Sequence, residues 1–115
     1  MITIKGVDPN MIANNIDPFY PIHPGEILKD EIEARGISQK KLAEQMGVAY
    51  SYLNEVLNGK RPVNTDFALR IEAALGLEPT ALLNMQMSYN MQVAKKDAKL
   101  SKCLAEIRKA VAVAL

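Results

Sequence analysis

The sequence predicts an all-α protein, and three observations support this fold class. From Ile27 onward, apolar residues recur every three to four positions, which is the period of an amphipathic helix. Capping and stopping residues, such as Ser38 before one apolar run and Gly47 after it, divide the pattern into short helices. After Pro79 nothing breaks a helix as far as Leu115. We therefore expect five helices and a C-terminal helical extension.

The first 22 residues have a different character and predict an irregular N-terminal arm. Asp-Pro occurs twice, and Gly6, Pro21 and the pair Asn14-Asn15 are turn or extended-chain signals. Ile2 and Ile4 alternate with their neighbours, as in a short strand. A lone strand needs a partner, which a second chain could provide.

The expected helices have start and stop signals. Pro24 suits the first position of a helix, and Glu26 favours its positive end. Ser38 and Asn64 are good N-caps for the second and fourth helices, whereas Ala49, before the third, is a poor one. The expected stops are Gly36, Gly47, Asn58-Gly59 and Gly76. Pro79 opens the fifth helix.

The C-terminal part from residue 79 forms one helix or two, and Lys95-Lys96-Asp97 is the expected bend. Its last segment is amphipathic, with an apolar stripe opposite a basic face. The stripe consists of Leu100, Cys103, Leu104, Ile107, Val111, Ala114 and Leu115. This segment could cover the protein's own core, form a dimer or bind another protein. A membrane-surface role is less favoured, since it lacks Trp and Phe.

Three segments are therefore expected in the chain. Residues 1–22 form the arm, residues 23–93 form a helix-turn-helix domain, and residues 94–115 form the amphipathic C-terminal helix. The helix-turn-helix itself is expected at about residues 38–58.

Composition excludes several classes of protein. The 115 residues fit one small domain that is 49% hydrophobic and has no Trp, and such small cores often gain stability by dimerisation. A single cysteine, Cys103, excludes an intramolecular disulfide, and with the single histidine, His23, it cannot build a zinc site. We therefore expect no metal, no cofactor and a cytoplasmic location. No signal peptide and no membrane-spanning apolar run are visible.

Net charge does not decide whether the protein binds nucleic acid. The total of +1 is spread as −1 over residues 1–23, −2 over residues 24–86 and +4 over residues 87–115. The placement of single charges must therefore identify the surface that binds a partner.

Residues 42–59 carry the features of a helix-turn-helix. Ala43 is small enough for two helices to cross closely, and Gly47, four residues later, permits a left-handed turn. Val48, Leu53 and Val56 can then pack the second helix against the first. This packing leaves a polar face suited to a DNA major groove, formed by Tyr50, Ser51, Asn54, Glu55 and Asn58. An ordinary helical hairpin would use the same Ala and Gly.

The segment from Ile37 to Gly59, with residues 64–75 after it, resembles the Cro/cI-type (XRE) helix-turn-helix. The run His23-Pro24-Gly25-Glu26-Ile27-Leu28 is more particular. Together with residues 53–61 and Leu83-Asn84-Met85-Gln86, it resembles the HigA/VapI antitoxins of toxin–antitoxin modules. The resemblance covers about residues 23–90. It departs from the family at Leu82-Leu83, where an aromatic residue is frequent, and at Ala49, which is often Ser.

The resemblance implies roles for residues of the third helix. Tyr50, Ser51 and Glu55 match positions from which the family reads bases, and Tyr52 and Asn54 are further candidates. Glu55 could accept a hydrogen bond from a cytosine amino group, although a carboxylate near phosphates is repelled unless it is well placed. Tyr50 and Tyr52 could instead pack sideways on a neighbouring helix, and Asn54 could only cover the rim of the groove.

Other polar residues are candidates for contacts with the phosphate backbone. Gln39 stands at the amino end of the second helix, where the helix dipole and free N–H groups favour an anion. Lys40, Asn58, Lys60 and Arg61 could extend these contacts. Solvated surface is the alternative for the two lysines and Arg61.

No catalytic constellation is present, so an enzyme is not expected. His23 lies beside Pro24 at the start of a helix and has no triad at a recognisable spacing. The resemblance implies a dimeric transcriptional repressor that binds a palindromic operator, regulates its own operon and neutralises a HigB-type ribonuclease toxin. The alternatives are an XRE regulator without a toxin, and a protein-interaction module that has lost DNA binding.

Overall fold

The computed structural model describes residues 21–114, and all regular structure in this range is helical. The expected arm therefore lies outside the described residues, apart from Pro21 and Ile22. The six helices are α1 (Pro24–Ala34), α2 (Gln39–Met46), α3 (Tyr50–Leu57), α4 (Thr65–Leu75), α5 (Pro79–Lys95) and α6 (Ala98–Ala114). This architecture confirms the predicted all-α class, with five helices and a C-terminal helical extension.

The predicted caps explain where the helices begin. The Ser38 side chain accepts a hydrogen bond from the Lys41 amide, and the Asn64 side chain accepts one from the Phe67 amide. Ala49 precedes α3 without a side-chain cap, as its methyl group requires. Sequence and backbone geometry agree at these three positions.

The predicted bend in the C-terminal part is also confirmed. Helix α5 ends at Lys95, and the Asp97 carboxylate accepts hydrogen bonds from the amides of Lys99 and Leu100 at 2.9 and 3.1 Å. An aspartate that caps the amides of the next turn starts a new helix rather than continuing the old one. Residues 79–114 are therefore two helices.

Residues 22–89 form one compact unit with a continuous apolar core. Helices α1 to α4 contribute most of it, and α5 adds Leu82. The core side chains are Leu28, Ile32, Leu42, Ala43, Met46, Leu53, Val56, Leu57, Val63, Phe67, Ala68, Ile71, Leu75 and Leu82. Each of these helices presents one buried stripe to this core, so the apolar residues that recur about every 3.6 positions in the sequence form its packing surface.

Close contact between α1 and α3 depends on Gly25. A Cβ at this position would lie 2.0 Å from the backbone carbonyl oxygen of Val56, which is far inside van der Waals contact. The glycine is needed for space and not for an unusual backbone angle, since its φ is not positive. This contact sets how closely α1 supports the end of α3.

Residues from 90 onward belong to a second unit that contains α6. None of the α6 residues is buried. Leu100, Leu104, Ile107 and Val111 follow one another at intervals of four, three and four residues, and each is between 37% and 53% exposed.

Candidate nucleic-acid interface

The turn between α2 and α3 has the left-handed geometry that the sequence predicts. Gly47 has φ 72° and ψ 30°, and the Val48 amide donates to the carbonyl of Ala43 at 3.0 Å. The Arg70 guanidinium of α4 donates to the Met46 carbonyl at 2.6 Å, and it also pairs with Asp66. Arg70 thus satisfies a carbonyl at the end of α2 from 24 positions away, and fixes the turn.

Helix α3 presents the predicted polar face. Tyr50 and Ser51 are exposed, and Asn54 and Glu55 are partly buried. On the opposite side, Leu53 and Val56 are buried in the core, as predicted. The polar face is therefore accessible to a binding partner at Tyr50 and Ser51, and the buried residues behind it anchor α3 in the core.

Tyr50 lies at the mouth of a groove between the starts of α2 and α3. The groove is also lined by Lys40 and Lys41, and the Lys40 ammonium lies 5.8 Å from the Tyr50 ring centroid. Lys41 was not a predicted contact residue, although it adds a second cation here. Gln39 is half-buried at the first position of α2 and is not among the groove-lining residues.

Glu55, Arg61 and Tyr52 form a cluster at the end of α3. The Arg61 Nε donates to the Glu55 carboxylate at 2.5 Å, and the guanidinium lies 5.1 Å from the Tyr52 ring centroid. Tyr52 in turn packs edge-on against Phe67 at 5.8 Å. The hydrogen bond and the charge of Glu55 raise the pKa of Arg61. Arg61 therefore offsets the negative charge of Glu55, which would otherwise repel phosphates.

Asn58 and Asn54 are linked at the last turn of α3. The Asn58 amide donates to the Asn54 carbonyl at 2.8 Å, and Lys29 of α1 donates to the Asn58 side-chain oxygen at 3.3 Å. Lys29 is a further cation that the sequence did not identify, because it lies 29 positions from its partner. Lys60 is exposed, and its amide donates to the Glu55 carbonyl at 2.8 Å.

His23 connects the start of α1 to the segment that carries Lys60 and Arg61. Its Nδ1 accepts a hydrogen bond from the Gly25 amide at 2.9 Å, so His23 is the N-cap of α1. Its ring packs edge-on against Tyr89 at 4.9 Å, and it lies beside Gly59, where an added Cβ would be 3.7 Å from the His23 Cγ. Burial lowers the pKa of His23, while the Arg61 backbone and the Glu26 carboxylate raise it by less.

The candidate residues therefore fall into three groups. The first group consists of Arg61, Glu55 and Tyr52. The second consists of Asn54 and Asn58, and the third of Lys40 and Tyr50. Ser51, Gln39 and Lys60 lie outside these three groups.

Other kinds of site receive no support within residues 21–114. In this range, no three His, Cys, Asp or Glu residues are close enough to hold a metal ion. No helix in the same part of the chain has the length and apolar character needed to cross a bilayer.

Comparison with known proteins gives a consistent result. A helix-turn-helix family model matches residues 28–82. The chain is 38% identical over 77 residues to Virulence-associated protein I of Dichelobacter nodosus, and the match covers 66% of this chain and 71% of that protein. It is also 38% identical over 72 residues to Antitoxin HigA-1 of Vibrio cholerae, a match that covers 62% of this chain and 68% of that protein.

A solved structure supports the same assignment. The Pseudomonas aeruginosa antitoxin HigA, solved with the higBA promoter, superposes with a TM-score of 0.61 at 32% identity, over 64% of this chain and 82% of that chain. The domain of residues 22–89 has the Cro/cI-like fold, and the family consists of DNA-binding regulators rather than enzymes. The chain belongs to the HigA/VapI-type antitoxin family of XRE helix-turn-helix proteins.

Proposed function

We propose that this protein is an antitoxin that represses its own operon as a dimer and neutralises a HigB-type ribonuclease toxin. The observation that carries the DNA-binding part is the exposed face of α3, which has a charge-compensated Glu55–Arg61 pair at one end. In a dimer, each α3 would enter a major groove one helical turn from the other. The site of action is then the cytoplasm.

In this proposal, residues 23–93 are the DNA-binding domain. Bases are read by Tyr50, Ser51, Asn54 and Glu55. Phosphates are contacted by Gln39, Lys40, Asn58, Lys60 and Arg61. If the two protomers together neutralise about five phosphates, the logarithm of the affinity falls with the logarithm of the salt concentration with a slope of roughly −4 to −5.

Tyr52 has a supporting part in this arrangement. Its ring lies between Phe67 and the Arg61 guanidinium, which favours the sideways packing over a direct contact with a base. Tyr50, in contrast, is 43% exposed beside Lys40 and is free to approach a groove. We therefore expect Tyr50→Phe to change operator affinity more than Tyr52→Phe.

We propose that α6 forms the dimer through its apolar stripe. The spacing of Leu100, Leu104, Ile107 and Val111 matches the seam of a two-helix coiled coil. The charged residues Lys102 and Lys109 lie on the opposite side of the helix, so two copies would not bring them together.

The oligomeric state tests this interface. The double substitution Leu104→Lys with Ile107→Lys should reduce the mass in light scattering from about twice 12.7 kDa to the monomer value. Ala105→Lys with Ala112→Lys adds the same charge to exposed positions beside the stripe and should leave the dimer intact. A seam variant that stays dimeric would reject α6 as the interface.

The candidate contact surface for the toxin is the arm of residues 1–22 or the final helix, residues 94–115, and a final helix engaged in the dimer leaves the arm. The decisive experiment is a gel shift on the DNA upstream of the gene, with and without the product of the adjacent gene. We expect the protein to shift this DNA and the adjacent product to alter the shift. If the DNA shifts but no small basic protein is encoded nearby, the stand-alone XRE regulator is correct. If neither sample shifts the DNA, the repressor proposal is wrong.

A further inference from the structure

We infer that Arg70 is a positioning residue that sets the orientation of α3 on DNA, and thereby the discrimination between operator and other DNA. This role rests on the proposed function, because it assumes that α3 reads bases. Arg70 lies on α4, outside the helix-turn-helix of residues 38–58, and is none of the residues proposed to contact DNA.

The end of α2 offers one carbonyl to Arg70. Two amides of the turn, those of Gly47 and Val48, donate to other carbonyls in the last turn of α2 at 3.2 and 3.0 Å. The Met46 carbonyl, at the last residue of α2, accepts instead from the Arg70 Nη1 at 2.6 Å. A Cβ on Gly47 would lie 3.2 Å from the same Nη1, so the guanidinium lies directly against the turn.

Asp66, one turn earlier on α4, directs the arginine toward this carbonyl. Its carboxylate accepts a hydrogen bond from the Arg70 Nε at 2.6 Å. One planar guanidinium makes both bonds, a geometry that a lysine ammonium on a flexible stem does not reproduce. The side chains of Arg70 and Asp66 are 42% and 70% exposed, and an ion pair this exposed adds little to stability. The pair therefore matters for the direction of the guanidinium more than for the free energy of unfolding.

The position of the turn affects the position of α3. Only three residues, 47 to 49, separate the end of α2 from the start of α3. Helix α4 also contacts α3 directly, because the Phe67 ring packs edge-on against Tyr52 with the ring centroids 5.8 Å apart. Apolar packing is non-directional and tolerates small rotations of α3, whereas the hydrogen bonds of Arg70 are directional. Arg70 thus narrows the range of orientations in which α3 meets the edges of the bases.

Substitutions at Arg70 test this role. Arg70→Lys keeps the positive charge but cannot bond to Asp66 and to the Met46 carbonyl with the same geometry. Arg70→Gln removes the charge as well. Arg35→Lys is the matched control, because Arg35 pairs with Glu31 at 2.7 Å within α1 at the same spacing of four residues. Circular dichroism at the assay temperature checks that each variant is folded.

The ratio of two affinities is the first measurement. Fluorescence anisotropy compares the DNA upstream of the gene with a scrambled duplex of the same length. Arg70→Lys and Arg70→Gln should lower this ratio about tenfold, roughly the discrimination that one base contact provides, with no change in affinity for the scrambled duplex. Asp66→Ala should act in the same direction and add nothing in the Arg70→Lys background, because the two residues act as a unit.

Three results would reject the inference. An unchanged ratio in Arg70→Lys is the first, and an equal fall in Arg35→Lys is the second. The third is a salt slope that Arg70→Gln reduces by about 1 per protomer, since Arg70 would then contact a phosphate itself.

Amide hydrogen exchange gives a second measurement that needs no DNA. The amides of Gly36 and Ile37 form the same pair of bonds at the end of α1, at 3.0 and 3.1 Å, and are the internal reference. Relative to them, the amides of Gly47 and Val48 should exchange about tenfold faster in Arg70→Lys than in the wild type. If the wild type binds no operator, the proposed function fails, while this measurement still tests the hold of Arg70 on the turn. Unchanged relative exchange would show that Arg70 does not hold the turn.

Discussion

Gly25→Ala should destabilise the protein, although alanine normally favours a helix over glycine. The new Cβ would stand 2.0 Å from the Val56 carbonyl oxygen, so α1 and α3 must separate by about 1 Å. Such overpacking costs about 2 kcal/mol. Displacement of the Val56 carbonyl also weakens its hydrogen bond with the Gly59 amide, which costs about 1 kcal/mol. The higher helix propensity of alanine offsets about 1 kcal/mol of this cost.

The net loss of unfolding free energy is then about 2 kcal/mol, which lowers the Tm of a domain of this size by about 8–16 °C. Thermal unfolding followed by circular dichroism measures it. Gly76→Ala is the control. Gly76 has a φ of +75°, and a Cβ added there would have no neighbouring atom within 4 Å, so only backbone strain of about 1 kcal/mol applies. A Gly25→Ala variant as stable as the wild type would refute the argument from close contact.

Three other changes have defined outcomes. Arg61→Ala should weaken binding to all operator sequences alike and reduce the salt slope by about 1 per protomer. Arg35→Ala removes another ion-paired arginine and should change neither the affinity nor the slope. Fluorescence anisotropy measures the binding of both variants. Gln86→Met should cost about 1–3 kcal/mol in chemical denaturation, because the Val63 amide loses the acceptor it has at 2.8 Å. Because the pKa of His23 is lowered in the folded state, the folded state binds fewer protons than the unfolded state. Denaturation midpoints should therefore fall as the pH drops below 6.5. The variant His23→Asn should lack this part of the pH dependence.

Local patterns in the sequence were sufficient to predict the helices. Ser38, Asn64 and Gly47 act on backbone atoms within four positions, so their effect can be read without knowing the fold. The bend after Lys95 was predictable for the same reason. The face of α3 followed from helical period alone, since the buried positions of an eight-residue helix determine the exposed ones.

Contacts between residues far apart in the sequence could not be predicted from such local patterns. Lys29 meets Asn58 and Gln86 meets Val63 only because distant helices pack together. His23 was predicted to be a residue of the helix start, which it is, but its ring contact with Tyr89 depends on how α1 and α5 pack. The concern that Glu55 would repel phosphates is answered by Arg61, whose orientation toward it no local rule provides.

The contact of Arg70 with the Met46 carbonyl has a consequence for engineering. Residues 38–58 contain both helices and the turn, yet one hydrogen bond that fixes the turn comes from α4. A synthetic peptide of this segment, or a graft of it onto another scaffold, would lack that bond and would adopt a range of interhelical angles. The specificity of the reading helix therefore cannot be transplanted with the motif alone; the smallest portable unit must extend through α4.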